Sequence, residues 1–306
     1  MKAFQWNILS QIEEYETARL FLAENFNDGK KYAIKFFFDR GDVASRETEV
    51  LSKIQHDSVI EYKTVVYPDE LSFSTQEEEE KFRSFRFTEG YALEYAPRGD
   101  LLSLMQNIQM LPEIVARTFI SQLVDVLEYL HNQEHIAHNA LHLQNLLLDS
   151  QFCLKLANFE ASEMIQDAKI LADKTANSPP TAFMEKENAG FAADMFALGI
   201  IIFELICGYS PFSQASAVED ELYALILEER WEEFWMTHEE ICPLNPILNR
   251  PSLQGLIESL LCPSSERRAK ISDVRKSEWM KMTKIDKLNV GSWIIEIAKK
   301  QKVNLL

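Results

Sequence analysis

Hydrophobic and polar positions divide the chain into a strand-like first third and a helix-like remainder. Leu20-Phe21-Leu22-Ala23 and Tyr32 through Phe37 are apolar, aromatic runs that predict two strands. Asn25 to Lys30, with Asn27-Asp28-Gly29, predicts a hairpin turn between them. Val43, Glu47, Val50, Leu51 and Ile54 recur at helical spacing, with Ser45 placed to cap the start. Two further strands are expected near 60–67 and 90–96. The stretch from Pro68 to Thr88 holds Glu77-Glu78-Glu79-Glu80, which reads as a solvated loop or hairpin tip, or as an acidic docking patch. From Asp100 the period changes. Leu101-Leu102-Leu104-Met105 opens one amphipathic helix, and Val115, Phe119, Leu123, Val126, Leu127 and Leu130 mark a longer one over 112–133. Short strands are expected at 146–148 and 153–156. After Pro179-Pro180 the pattern is helical again to about residue 260. No repeat or low-complexity linker occurs, and Ala96 to Asp100 is the expected joint between two lobes.

Composition narrows the function. About 7% glycine would give roughly 21 in a chain of this size; there are nine, and only Gly29 and Gly41 precede residue 90. That argues against a glycine-rich phosphate loop near the N-terminus. With 31 Lys and Arg against 48 Asp and Glu, the formal charge is −17. Unassisted binding to nucleic acid or an anionic membrane is therefore disfavoured, because both depend on cations meeting phosphate. Cys153, Cys207, Cys242 and Cys262 show no CxxC spacing, so neither a zinc site nor a disulfide framework is indicated. Reduced cysteines and an opening Met1-Lys2-Ala3-Phe4 without a signal peptide lead us to expect a cytoplasmic or other intracellular protein. Met195 to Phe203, the longest strongly apolar stretch, is too short to span a bilayer and is expected to be a buried helix.

An ordered series of motifs carries a more specific message. Tyr32-Ala33-Ile34-Lys35 resembles a VAIK strand, and Glu47 follows twelve residues later in a helix. Leu93-Glu94-Tyr95 resembles a nucleotide hinge. Tyr129-Leu130-His131, then His138-Asn139-Ala140-Leu141-His142-Leu143-Gln144-Asn145, resemble a catalytic-loop region, and Asn158-Phe159-Glu160 stands where DFG belongs. Asp194 to Gly199 and Gly208-Tyr209-Ser210-Pro211-Phe212 complete the order. Over roughly residues 8–280 the chain resembles the eukaryotic protein kinase superfamily in a degenerate form, a pseudokinase, with some likeness to the calcium/calmodulin-dependent group. The resemblance implies an α+β, two-lobed fold: a small β-rich lobe over 1–96 with an acidic insertion at 68–88, a larger helical lobe over 97–280, and a basic tail over 281–306.

The resemblance also assigns roles. Lys35 and Glu47 would form the phosphate-binding ion pair, as a nucleotide clamp or as a purely structural bridge. Leu20, Ala33 and Leu147 would sandwich adenine, Leu93 would be the gatekeeper and Tyr95 a hinge residue. Leu51, His138 and Phe159 would belong to a regulatory spine anchored by Asp194. Departures from the family pattern weigh against catalysis. The phosphate loop would be Ile12 to Leu20, with Glu13, Tyr15 and Ala18 in place of its three glycines. Side chains there obstruct backbone approach, and Glu13, Glu14 and Glu16 repel phosphate. Ala140 replaces the catalytic aspartate, a loss of about 10²- to 10⁴-fold where a general base matters. Asn139 replaces an arginine and His142 a lysine. Asn145 remains, but Asn158 replaces the magnesium-binding aspartate, and two neutral carbonyls are poor ligands for a hard dication. Glu160 is an acid nearby that either reaches a cation or points elsewhere. We therefore expect no metal site and no cofactor, while leaving room for ATP without magnesium.

Phe183-Met184-Glu185 stands for the APE motif, with Glu185 expected to pair with Arg267 or Arg268. The tail over 281–306 has six lysines against Asp286 and Glu296, a net +4. Its 293–302 segment reads as a helix packed on its own acidic lobe, or as a site for a calmodulin-like or other acidic partner. The expected function is allosteric or scaffolding through protein partners, an active kinase or its substrate among them. An atypical low-activity Ser/Thr kinase and a nucleotide-sensing module are the alternatives.

Overall fold

A computed structural model describes residues 5–38, 42–165, 189–242 and 250–303, and the chain divides into two units, Met1–Pro97 and Arg98–Leu306. Six strands form one sheet in the first unit: β1 Trp6–Glu14, β2 Ala18–Asn25, β3 Lys31–Phe37, β4 Tyr62–Val66, β5 Leu71–Phe73 and β6 Gly90–Glu94, in the order β4-β6-β3-β2-β1-β5. The expected hairpin joins β2 to β3. Gly29 takes φ +66, and the Asn25 and Asp28 carboxamide and carboxylate accept from the amides of Asn27 and Lys30. β1 was not evident from its pattern. Only Trp6 and Ile8 alternate inward, and the register shifts twice before the polar end at Glu14.

Helix α1 spans Asp42–Leu51. It begins before Ser45, so Ser45 lies inside the helix rather than capping it, and Ile54 falls beyond its end. The insertion is the larger correction. Pro68 to Thr88 is no solvated loop: β5 pairs parallel with β1, placing Leu71 opposite Trp6, and helix α2 follows over Gln76–Arg83. Thr75 caps α2 by accepting from the Glu78 amide at 3.2 Å. Glu77, Glu78 and Glu79 fall in the first turn, where negative charge opposes the exposed N–H groups favourably. Phe82, 5% exposed, enters a core with Trp6, Ile8, Phe21, Ile34 and Phe36, against which Phe73 and Phe87 pack. Its ring lies 4.9–5.3 Å from those of Phe87, Phe36 and Phe21, within aromatic pairing range.

The second unit contains helices α3 Leu101–Ile108, α4 Glu113–Tyr129, α5 Ala189–Cys207, α6 Glu221–Leu227, α7 Trp231–Ile241, α8 Pro251–Leu260, α9 Ile271–Lys276, α10 Glu278–Lys281 and α11 Val290–Gln301. Its strands are short: β7 Ile136–Ala137, β8 Leu146–Leu148, β9 Leu154–Leu156 and β10 Glu163–Met164, paired β8–β9 and β10–β7. Asp100 caps α3, accepting from the Ser103 amide at 2.8 Å. Val115, Phe119, Leu123, Val126 and Leu127 of α4 are buried, and a π-helical turn over Leu130–Glu134 ends that helix. The apolar stretch from Met195 sits inside a longer helix than the sequence suggested. Gly190–Cys207, with mean hydropathy 2.0, is long and apolar enough to cross a membrane, yet 83% of it is buried in the protein. Gly199 makes that burial close: a Cβ there would lie 2.9 Å from the Leu260 Cβ of α8. In the tail, α11 buries Val290, Gly291, Ile294 and Ala298, and the Gln301 side chain donates to the Ile108 carbonyl.

Candidate functional site

In the first unit, strand register collects the expected nucleotide-pocket residues on one sheet face. Leu20 and Tyr91 lie opposite Lys35, and Leu93 lies opposite Ala33, so all five project to the same side. Tyr95 follows β6 and is half-buried, and Leu51 of α1 is buried. The Lys35 Nζ lies 2.8 Å from Glu47 Oε2, with both side chains almost fully buried. Sequence reasoning missed the third member. The Tyr91 hydroxyl donates to the same Glu47 oxygen in a short hydrogen bond. Period-two alternation two positions before Leu93 is the signal that could have found it.

A second missed feature surrounds the expected phosphate loop. The Tyr15 ring lies 5.3 Å from Lys35 Nζ, as does that of Phe37, within the range of cation–π attraction. The Tyr15 hydroxyl donates to Glu13 Oε2 at 2.6 Å. Arg19 fixes this turn from the other side of the sheet. It donates to the carbonyls of Tyr15 and Ala18, pairs with Glu14, and stacks 4.6 Å over Phe38 and 5.0 Å over Phe85 from the insertion. Two of the residues standing in for glycine are therefore built into contacts: Tyr15 covers the lysine and Glu13 accepts from Tyr15.

The second unit holds the catalytic-loop positions. Asp194 Oδ2 accepts from the His138 amide and meets His131 Nε2, each at 2.8 Å, and its Oδ1 accepts from the Asn139 amide. These bonds hold the loop as Asn139 passes through φ +61. The His138 ring meets Phe159 edge-on at 4.7 Å, and both residues are fully buried. The spine positions of this unit thus pack together. Ala140, half-buried, presents only a methyl group where the family has a carboxylate. The Asn145 side-chain NH₂ donates to the Ala140 carbonyl at 2.7 Å and meets His142 Nε2 at 2.9 Å, so that imidazole nitrogen serves as acceptor. Asn158 Nδ2 donates to Asn145 Oδ1 at 3.3 Å, while Asn158 Oδ1 is buried without a partner. Leu147 of β8 and Glu160 are half-buried, and Glu160 directly follows Phe159.

Chemically this cluster offers amides and an imidazole, and Ala140 brings no carboxylate to it. Among the described residues, no group of three or more His, Cys, Asp or Glu could hold a metal ion. The expected APE glutamate, Glu185, lies outside the described residues. Arg267 pairs at the surface with Glu229, and the buried Arg268 donates to the carbonyls of Cys262, Ala192 and Pro263.

Comparison with known proteins identifies the family. The protein kinase domain family matches residues 6–280. A probable cell cycle serine/threonine-protein kinase, the CDC5 homolog of Encephalitozoon cuniculi, is 32% identical over 256 residues, covering 78% of this chain and 51% of that protein. CBL-interacting serine/threonine-protein kinase 8 of Arabidopsis thaliana is 27% identical over 290 residues, 91% of this chain and 58% of that protein. The carbon catabolite-derepressing protein kinase of Secale cereale is 25% identical over 276 residues, 86% and 48%. The chain thus spans about half the length of these relatives. A β-rich first unit with a buried Lys–Glu pair and a helical second unit whose catalytic-type loop is anchored by Asp194 together have the two-lobed α+β form, and the chain belongs to the protein kinase domain family.

Proposed function

We propose that this protein kinase domain is catalytically silent and works through contacts with other proteins, an active kinase or its substrate being the natural partners. The observation that carries this reading is Ala140: no acceptor stands where the substrate hydroxyl would lose its proton. Two further features support it. The Tyr15 ring covers Lys35, so a nucleotide phosphate would have to displace it. Asn145 and Asn158 offer neutral oxygens, and the Asn145 oxygen already accepts from Asn158. Magnesium, which wants carboxylate and phosphate oxygens in octahedral array, fits this pair poorly.

One observation favours a second reading. The Lys35–Glu47 pair is intact at 2.8 Å, which suits a module that binds nucleotide without metal and only responds to it. Three measurements on the purified chain decide. Incubation with labelled ATP and Mg²⁺ or Mn²⁺ is expected to transfer no phosphate; transfer that Lys35→Ala abolishes would overturn the proposal. Thermal shift with ATP is expected to be flat for the native chain. A metal-independent shift lost in Lys35→Ala protein would select the nucleotide-responsive reading. Tyr15→Gly is expected to gain a shift if the ring is what excludes phosphate.

A further inference from the structure

We propose that the second unit carries a docking site for an acidic peptide segment of a partner protein, one that inserts a single bulky apolar side chain between the β8–β9 turn and α11. This deepens the protein-contact role proposed above and rests on it for its use by the cell. The site itself does not depend on whether nucleotide binds.

The turn is built with unusual care. Asp149 Oδ1 accepts from the amides of Gln151 and Cys153, both at 2.8 Å. That grip carries Phe152 through φ +63, a left-handed conformation that is costly for an aromatic residue and that surrounding structure must enforce. The Phe152 ring is 4% exposed. Helix α11 lies directly against it: a Cβ on Gly291 would be 3.0 Å from Phe152 Cδ2 and 3.2 Å from the Gln151 carbonyl. Beside this contact a cavity of about 220 Å³ opens, bounded by Arg98, Phe152, Ile295, Ala298, Lys299 and Val303. That volume is below the ~300–1,000 Å³ of small-molecule sites, and suits one side chain.

Its lining has two parts. Phe152, Ile295, Ala298 and Val303 make an apolar wall, and Ile295 is 41% exposed. Arg98 and Lys299 supply positive charge, with the Arg98 guanidinium 4.9 Å over the Phe152 ring. Among the described residues neither cation forms a contact ion pair: Glu296 is held by neighbouring Lys300 at 2.7 Å, and Lys299 feels that carboxylate only from a greater distance. In a chain of −17, Arg98 and Lys299 place two cations free of contact ion pairs beside an apolar cavity. An acidic segment is repelled by the net charge of the chain and attracted by these two cations, which orients its approach. The geometry also disfavours extraction of α11 as a ligand for a calmodulin-like partner. Ile294 and Ala298, its apolar anchors, are already buried in the unit. A partner would therefore dock on the helix without removing it.

The test is a phage-displayed heptapeptide library panned on the full chain, with no nucleotide present. We expect enrichment of peptides bearing one Phe, Trp, Leu or Ile flanked by Asp or Glu. Fluorescence polarisation of the enriched peptide should show affinity falling with salt. Arg98→Glu/Lys299→Glu should weaken binding on the order of tenfold or more, and Ile295→Asp should abolish it. Lys300→Glu, which reverses a neighbouring paired charge, should change it little. Circular dichroism checks that each variant is folded. No enrichment, enrichment of peptides without carboxylates, or equal binding by the charge-reversed and native chains would overturn the proposal. The nucleotide experiments read a different property, so either proposal can fail alone.

Discussion

Around Lys35 the first unit buries full charges and matches them. Glu47 sits 2.8 Å away, Tyr91 donates to the same carboxylate, and the Tyr15 and Phe37 rings lie beside the ammonium. Around Asn145 the second unit uses amides in place of ions: Asn145 bonds to His142 at 2.9 Å and to Asn158 at 3.3 Å, Asn158 Oδ1 is left without a partner, and the position beside them is a methyl group. A buried ion left without its partner costs several kcal/mol, while a neutral network loses about one hydrogen bond at a time. The first cluster should therefore break by unpairing and the second by recharging.

The largest effect is expected from unpairing. Glu47→Ala removes the buried carboxylate that the Lys35 ammonium and the Tyr91 hydroxyl share, and should cost about 3–5 kcal/mol in urea unfolding. The double change Lys35→Met/Glu47→Leu removes both charges and should recover most of that loss. A double variant as unstable as the single one would mean the pair contributes by more than mutual neutralisation. The reverse experiment addresses the second cluster. Asn158→Asp places a carboxylate where Nδ2 now donates to Asn145 Oδ1, setting oxygen against oxygen. About 1–3 kcal/mol should be lost at neutral pH. Mn²⁺ or Mg²⁺ should restore part of it in the variant and leave the native melting temperature unchanged, because two oxygens, one of them charged, then face each other.

Glu204 on α5 sharpens the contrast, since it is a half-buried carboxyl whose partner is a hydroxyl. Burial pushes it from 4.5 up to about 7, opposed only by the Ser210 hydrogen bond. The folded state then holds the proton more tightly than the unfolded chain does. This contribution is complete below about pH 4.5, declines as pH rises towards 7, and is flat above. Its size is about 1–3 kcal/mol. Glu204→Gln should remove that slope from the stability profile between pH 5 and 7. An unchanged slope would show that Glu204 finds a cation or water when ionised.

Legibility differed between these regions for physical reasons. The β2–β3 hairpin, α1 and α4 announce themselves because apolar residues recur at the period of the element. Lys35 and Glu47 were legible from motif spacing alone. The insertion was not, because Glu77–Glu80 dominates its composition while Phe73, Phe82 and Phe87 fall at intervals that match no single period. Only the parallel pairing of β5 with β1, distant in sequence, shows where those rings go. That Tyr15 replaces a glycine was readable; that its ring lies beside Lys35 was not. It depends on Arg19 holding the turn from the opposite sheet face, a contact with no local signature. In the catalytic-type loop, Ala140 and Asn158 could be seen to lack charge, but the amide network that replaces it joins residues 13 positions apart and has no local signature.

The smallest expected effect tests whether that network is a unit. His142 Nε2 accepts one of the two Asn145 side-chain N–H groups, across a 3₁₀ turn over Leu143–Asn145, and the other goes to Ala140. His142→Ala removes a single acceptor at a half-buried position where water can substitute. We expect a loss of about 0.5–1.5 kcal/mol, measured by chemical denaturation. If the amides act together, His142→Ala and Asn158→Ala should be non-additive, because both release Asn145, one at its donor and one at its acceptor. Strict additivity would mean that Asn145 is held mainly through Ala140. The second unit would then resemble the first more closely than its hydrogen bonds suggest, with one dominant contact and a neutral periphery.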